Sequence, residues 1–205
     1  TETPGTAALV GQLADGDDRA RQAAALELYR QGADRAQAAV RGWAADPELA
    51  RLISGPPIVG IAVRPQHFAA IRAAWTGAEG PPRLAEVPAD QDAREFELHI
   101  EFDGATALLD ILTPRDPGDP HSQGEQGAIA RFLAKQGEGV QQVEFPCKDV
   151  TRAAELIRER FGVQPAYAET RDGADGTRVN FFLVALPDGS RVLIELFERG
   201  ARSSD

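Results

Sequence analysis

Apolar runs and amphipathic stretches follow one another in a fixed order along residues 139–198. Gly139–Phe145 is an apolar run. From Asp149 to Phe161, apolar residues recur at Val150, Ala153, Leu156, Ile157 and Phe161, the three-to-four spacing of a helix, with Asp149 placed to cap it. Two further runs, Arg178–Leu186 and Ser190–Phe197, are separated by Pro187-Asp188-Gly189. Asp-Gly between apolar runs predicts a hairpin, because the tight turn needs positive φ. The segment reads as strand, helix, short strand, then a hairpin.

The same order occurs once before. Ile58–Val63 is an apolar run, and Pro65–Trp75 has Phe68, Ile71 and Trp75 on one helical face with Pro65 in the first turn. A short run Leu84–Val87, a run Arg94–Phe102, the turn Asp103-Gly104 and a run Thr106–Leu112 complete it. Asp103 and Asp188 lie 85 residues apart (188 − 103), as do Asp110 and Glu195 (195 − 110), and Ile58 and Gln142 lie 84 apart (142 − 58). Self-similarity at a fixed offset predicts a duplicated supersecondary unit. One such unit buries little surface alone, so the two are expected to form one α+β domain.

Residues 1–54 differ in character: rich in alanine, arginine and aspartate, with helical spacing throughout. The pattern predicts a short helix over Ala7–Leu13, a second capped by Asp17 or Asp18 and ending near Gly32, a third from Asp34 to Trp43, and a fourth opened by Asp46-Pro47 and reaching Ile53. Their lengths resemble one HEAT-like helical pair, but a solenoid needs several repeats. A helical N-terminal extension is the expectation. Ser54-Gly-Pro-Pro57 marks a boundary. Pro114–Glu125 reads as a loop, Gly127–Gln136 as a helix turning Ile129, Phe132 and Leu133 inward, and Asp172–Gly176 as a polar loop.

Composition narrows the partners. The 205 residues carry a net charge of −10, and the pI is near 4.8, which disfavours nucleic acid and anionic membrane surfaces. Cys147 is the only cysteine, which excludes an intrachain disulfide and suits a reducing cytoplasm. No apolar stretch reaches the ~18 residues of a membrane span. The first residues lack the basic and apolar regions of a signal peptide. Arginine outnumbers lysine, which suits a high-GC bacterial genome.

The duplicated unit, the carboxylate on each final strand and the run Ala128–Gln142 resemble the vicinal oxygen chelate superfamily, in particular its methylmalonyl-CoA epimerase-like members. The resemblance covers residues 57–198, with units 57–114 and 138–198. It implies paired βαβββ units forming an open barrel-like cup, with a divalent metal held by the first and last strands of each unit. The four ligand positions it implies fall on Ile58, Asp110, Gln142 and Glu195. Histidine is usual at the first, and isoleucine cannot ligate. The implied metal set is therefore Asp110, Gln142 and Glu195, oxygen donors suited to Mg²⁺, Mn²⁺ or Co²⁺ and poorly to Zn²⁺.

Alternation along the strands places Ile58, Gly60 and Ala62 on the cup face, Asp110 with Leu108, Gln142 with Glu144, and Glu195 with Leu193 and Phe197. Phe96, Leu98, Ile100 and Phe102 read as core. Glu95, Glu97, His99 and Glu101 read as the opposite face, open to solvent or to the cup. His99 joins the metal set if it lies beside Asp110. A buried carboxylate needs a partner, a metal or a proton. The expected function is a divergent glyoxalase-like protein that binds a small molecule in its cup without the superfamily's usual metal catalysis. The alternative is a divalent-metal-dependent epimerase or lyase acting α to a carbonyl, with Glu86 or Asp90 supplying a base. A homodimer is compatible with either.

Overall fold

The computed structural model describes residues 5–200, with the side chain of Phe102, and hence its reading as core, outside the described residues. The elements in chain order are α1 (Thr6–Asp15), α2 (Asp18–Ala39), α3 (Arg41–Ala45), α4 (Pro47–Leu52), β1 (Ile58–Ala62), α5 (Pro65–Ala74), β2 (Arg94–Phe102), β3 (Ala105–Thr113), α6 (Ala128–Gln136), β4 (Gly139–Pro146), α7 (Val150–Phe161), β5 (Arg171–Asp172), β6 (Arg178–Ala185) and β7 (Arg191–Glu198). The class is α+β. The chain gathers into two compact units: residues up to Gly32 with Ile58–Gln141, and Ala33–Pro57 with residues from Gln142 onward. β1, β2 and β3 belong to the first unit, and β5, β6, β7 and the greater part of β4 to the second, and the N-terminal helices are divided between them.

In the first unit, β3 is central, antiparallel to β2 and parallel to β1. The β2–β3 turn has positive φ at Asp103 (48°) and Gly104 (76°), as the Asp-Gly pair demands. One sheet face, with Val59, Ile61, Phe96, Leu98, Leu109 and Ile111 almost fully buried, forms the core. Phe68 and Ile71 of α5 are buried too, and Phe68 meets Phe96 edge-on at 4.8 Å. Burying each such side chain contributes about 1.5–3 kcal/mol.

The second unit repeats the plan. Here β7 is parallel to β4 and antiparallel to β6, with β5 beyond β6. Val143, Phe182, Ile194 and Leu196 are buried on the helix side, with Leu156 and Ile157 of α7. Trp43 of α3 meets Phe182 edge-on at 5.6 Å. Asp149 caps α7 by accepting the Arg152 N–H. Gly162 ends the helix in the left-handed region.

Three local expectations are corrected. Leu84–Val87 is no strand: only Leu84 bridges to Phe96, and Leu84 is 36% exposed. The second helix does not end at Gly32, and Asp34 does not cap a third, because α2 runs unbroken to Ala39. Gly32 is glycine for close packing: a Cβ there would stand 2.5 Å from Val59 Cγ1. The cap of α2 is as expected, with the Ala20 N–H donating to Asp17 at 2.8 Å.

Candidate functional site

Strand register builds one face in each unit from matching parts. In the first, Asp110 of β3 lies between Gly60 of β1 and Glu97 of β2. Directly opposed residues share a face, so Glu95, Glu97, His99 and Glu101 lie on the Asp110 face and not on the helix face. In the second, Glu195 of β7 lies between Glu144 of β4 and Phe181 of β6. Gln142, two residues before Glu144, shares that face and donates its amide N–H to Glu195 at 3.4 Å. The apolar part is supplied by Leu183, opposite Leu193, and by Phe197, opposite Val179.

Asp110 is buried, as are Glu144 and Glu195, each 8% exposed. Glu144 was legible as a face-mate of Gln142 but not as a neighbour of Glu195. That relation needs the parallel β4–β7 register, which alternation within one strand does not supply. Ile58 is buried and sits opposite Leu108.

The histidines lie elsewhere. His99 sits opposite Leu108, not beside Asp110, whose β2 neighbour is Glu97. The His99 ring is 66% exposed, with Nε2 3.5 Å from Glu97. His67 Nδ1 lies 2.8 Å from the buried carboxylate of Glu138. That carboxylate also accepts the Arg64 N–H at 2.8 Å and pairs with its guanidinium at 3.3 Å. Glu138 thus holds the start of α5, and a separation of 71 positions from His67 hid the pair. His121 is exposed in the loop after β3. Glu86 and Asp90 are exposed in the segment before β2. Asp92, in the same segment, is buried and accepts the N–H groups of Arg115 and Gln123. Cys147 is buried, and burial pushes its thiol up to about 11.

Two sheet segments of one topology, each with a carboxylate at the matching register of its last strand, define a duplicated α+β protein. No protein-family model matches the chain. No curated protein matches it either. Solved structures do. A methylmalonyl-CoA epimerase from Mycobacterium tuberculosis is 30% identical, with 74% of this chain and 91% of that one covered and a TM-score of 0.54. A Streptomyces coelicolor methylmalonyl-CoA epimerase in complex with 2-nitronate-propionyl-CoA is 31% identical, with 75% and 99% covered and a TM-score of 0.54. A methylmalonyl-CoA epimerase in complex with methylmalonyl-CoA and NH4+ is 31% identical, with 75% and 98% covered and a TM-score of 0.53. The chain belongs to the vicinal oxygen chelate superfamily. Among the described residues, no helix is long and apolar enough to cross a membrane.

Proposed function

We propose that the chain binds a small acyl ester of the CoA-thioester class on its carboxylate-bearing sheet face, without an imidazole-held divalent ion. The observation that carries this reading is the composition of the Glu195 face. A buried carboxylate and the Gln142 amide are flanked by Phe181, Leu183, Leu193 and Phe197, so that polar groups stand among apolar ones. Such a mixture suits a ligand with a carbonyl or carboxylate head and an apolar body. Similarity to epimerases solved with CoA esters supports the ligand class.

A second reading is an epimerase or lyase acting α to a carbonyl, favoured by the 30–31% identity to epimerases over nearly their whole length. In its metal-dependent form, Asp110, Gln142 and Glu195 would be the ligands. The donor set fits that ion poorly. Ile58, at the first ligand position, is buried hydrocarbon. None of the three histidines stands at a ligand position. Among the described residues, no three His, Cys, Asp or Glu side chains are gathered to hold a metal.

Calorimetric titration of propionyl-CoA and methylmalonyl-CoA into chelator-treated protein tests the first reading. Saturable binding that weakens in Leu193→Asp is expected. Absence of binding to either ester would sink it. Mass-spectrometric detection of α-deuterium uptake from D2O tests the second.

A further inference from the structure

We infer that Arg171 and Arg199, each laid over an aromatic ring at one end of the Glu195 face, form a subsite for the pyrophosphate of the acyl-CoA ester. The inference rests on the acyl-ester reading above and deepens it. That reading accounts for the carbonyl head and apolar body of the ligand and leaves its phosphates without a partner. The chain carries a net charge of −10. A polyanionic ester is therefore repelled by the molecule as a whole and needs a local cationic contact.

The second unit supplies one. Arg171 of β5 lies opposite Val179 of β6, and Val179 lies opposite Phe197 of β7. Val179 stands two residues from Phe181, the neighbour of Glu195, and Phe197 stands two residues from Glu195 itself, so these side chains share one face. Direct contacts fix the two arginines there. The Arg171 guanidinium lies over the Tyr167 ring, 3.9 Å from its centroid, and Tyr167 meets Phe181 edge-on at 5.9 Å. Arg199, just past the end of β7, lies over the Phe197 ring at 5.6 Å. Both arginines are exposed.

The face is thus graded along β7: Leu193, then Glu195, then Phe197 beneath Arg199. At about 3.3 Å per residue, Arg199 lies about 13 Å beyond Glu195. The pantetheine arm of one ester crosses this stretch, with its carbonyl at Glu195 and its pyrophosphate at the arginines. A guanidinium over a ring presents its flat side to the ring, while its N–H donors lie in its own plane. The ring contact orients the side chain without using those donors, which match phosphate oxygens in pairs. Arg178 is engaged elsewhere: it lies opposite Glu198, one position off this register, and donates to Asp172 at 2.6 Å and to the Thr170 carbonyl at 2.8 Å.

The test is calorimetry of propionyl-CoA against propionyl-pantetheine, which has the same acyl group and arm but no phosphate. The parent protein should bind the CoA ester about tenfold or more tightly, and the preference should shrink as salt rises. Arg171→Ala and Arg199→Ala should each lower that preference about three- to tenfold. Arg171→Lys should lower it less than Arg171→Ala, and Arg191→Ala, at the other end of the same face, should leave it in place. Propionyl-dephospho-CoA, which keeps the pyrophosphate, should bind like propionyl-CoA. Circular dichroism establishes that the variants fold. Equal affinity of the parent for the CoA and pantetheine esters overturns the inference while leaving the ester reading intact. So does an equal loss of both esters in the Arg171 and Arg199 variants, or a fall in preference as large in Arg191→Ala. A dephospho ester that binds no better than the pantetheine ester overturns the assignment to the pyrophosphate. Failure of propionyl-CoA and propionyl-pantetheine alike to bind defeats the underlying reading instead.

Discussion

Gly32, two-thirds of the way along α2, lies directly against Val59 of β1. A Cβ at position 32 would meet Val59 Cγ1 at 2.5 Å, Val59 Cγ2 at 3.1 Å and Val140 Cγ1 at 3.4 Å. Valine has one favoured rotamer in most backbones and cannot turn both methyls away. An ordinary helical glycine gains up to about 1 kcal/mol on change to alanine. Overpacking costs about 1–3 kcal/mol, so the clash wins here. Gly32→Ala should lower the melting temperature, and Val59→Ala should relieve it, so that the double variant loses less than the two single losses added. A rise in melting temperature for Gly32→Ala would count against this close approach.

Glu138 is the anchor of the α5 start. Its carboxylate accepts the Arg64 N–H and faces His67 Nδ1, while its own side chain is 6% exposed. Truncation to alanine leaves the Arg64 N–H without its acceptor and removes a charge-assisted contact. The expected cost is about 1–3 kcal/mol. His67→Ala should cost less, because the two Arg64 contacts remain. Hydrogen exchange of the amides at residues 64–68 should accelerate in Glu138→Ala. Unchanged protection there would show that Glu138 does not hold the helix start.

These two residues also mark the limits of reading the chain by pattern. Period-two runs and the Asp-Gly turns placed the strands, and the fixed 85-residue offset exposed the duplication, because strand alternation and tight-turn sterics are local. The faces of Asp110 and Glu195 followed from the same alternation. Gly32 was misread as a helix end, since a glycine needed for packing and one needed for positive φ look alike in one dimension. The Glu138–His67 contact and the Glu144–Glu195 register join residues far apart in sequence. No spacing rule reaches them. Leu84–Val87 had strand composition, yet only one of its residues forms a bridge.

Cys147 offers a chemical check on burial. Its thiol is pushed from 9.0 up to about 11, first by burial and then by the negative charges of Glu198 and Asp149. At pH 8 the thiolate fraction is on the order of 10⁻³, against roughly a tenth for an unshifted thiol. A disulfide reagent should therefore label native protein at least about a hundredfold more slowly than protein in urea. The linkage sign follows. A thiol whose folded value is raised contributes stability that is full below pH 9 and declines as the pH rises toward 11. Labelling of native protein at the denatured rate would refute burial of this side chain.

Arg160 and Arg152 of α7 hold α4 through two acidic residues. Arg160 contacts both Asp46 oxygens at 2.9 Å and Glu48 at 2.9 Å, and Arg152 contacts Glu48 at 2.9 Å. Asp46 does a second job: it caps α4, accepting the Glu48 and Leu49 N–H groups at 3.0 and 3.1 Å. Its carboxyl is held below the ordinary value of 3.8 by the Leu49 N–H first and then by Arg160. Glu48 is held below 4.5 by Arg160 first and then by Arg152. A carboxyl with a lowered folded value contributes stability above its unfolded value and loses it as the pH falls through the folded one. The contribution is thus present at neutral pH and declines as the pH falls below about 4. Asp46→Asn keeps the cap and loses the ion pair, whereas Asp46→Ala loses both. Asp46→Ala should melt lower than Asp46→Asn, and the gap between Asp46→Asn and the parent should shrink at high salt and below pH 4. Equal melting of Asn and Ala variants at neutral pH would show that the cap, not the ion pair, contributes nothing at this junction.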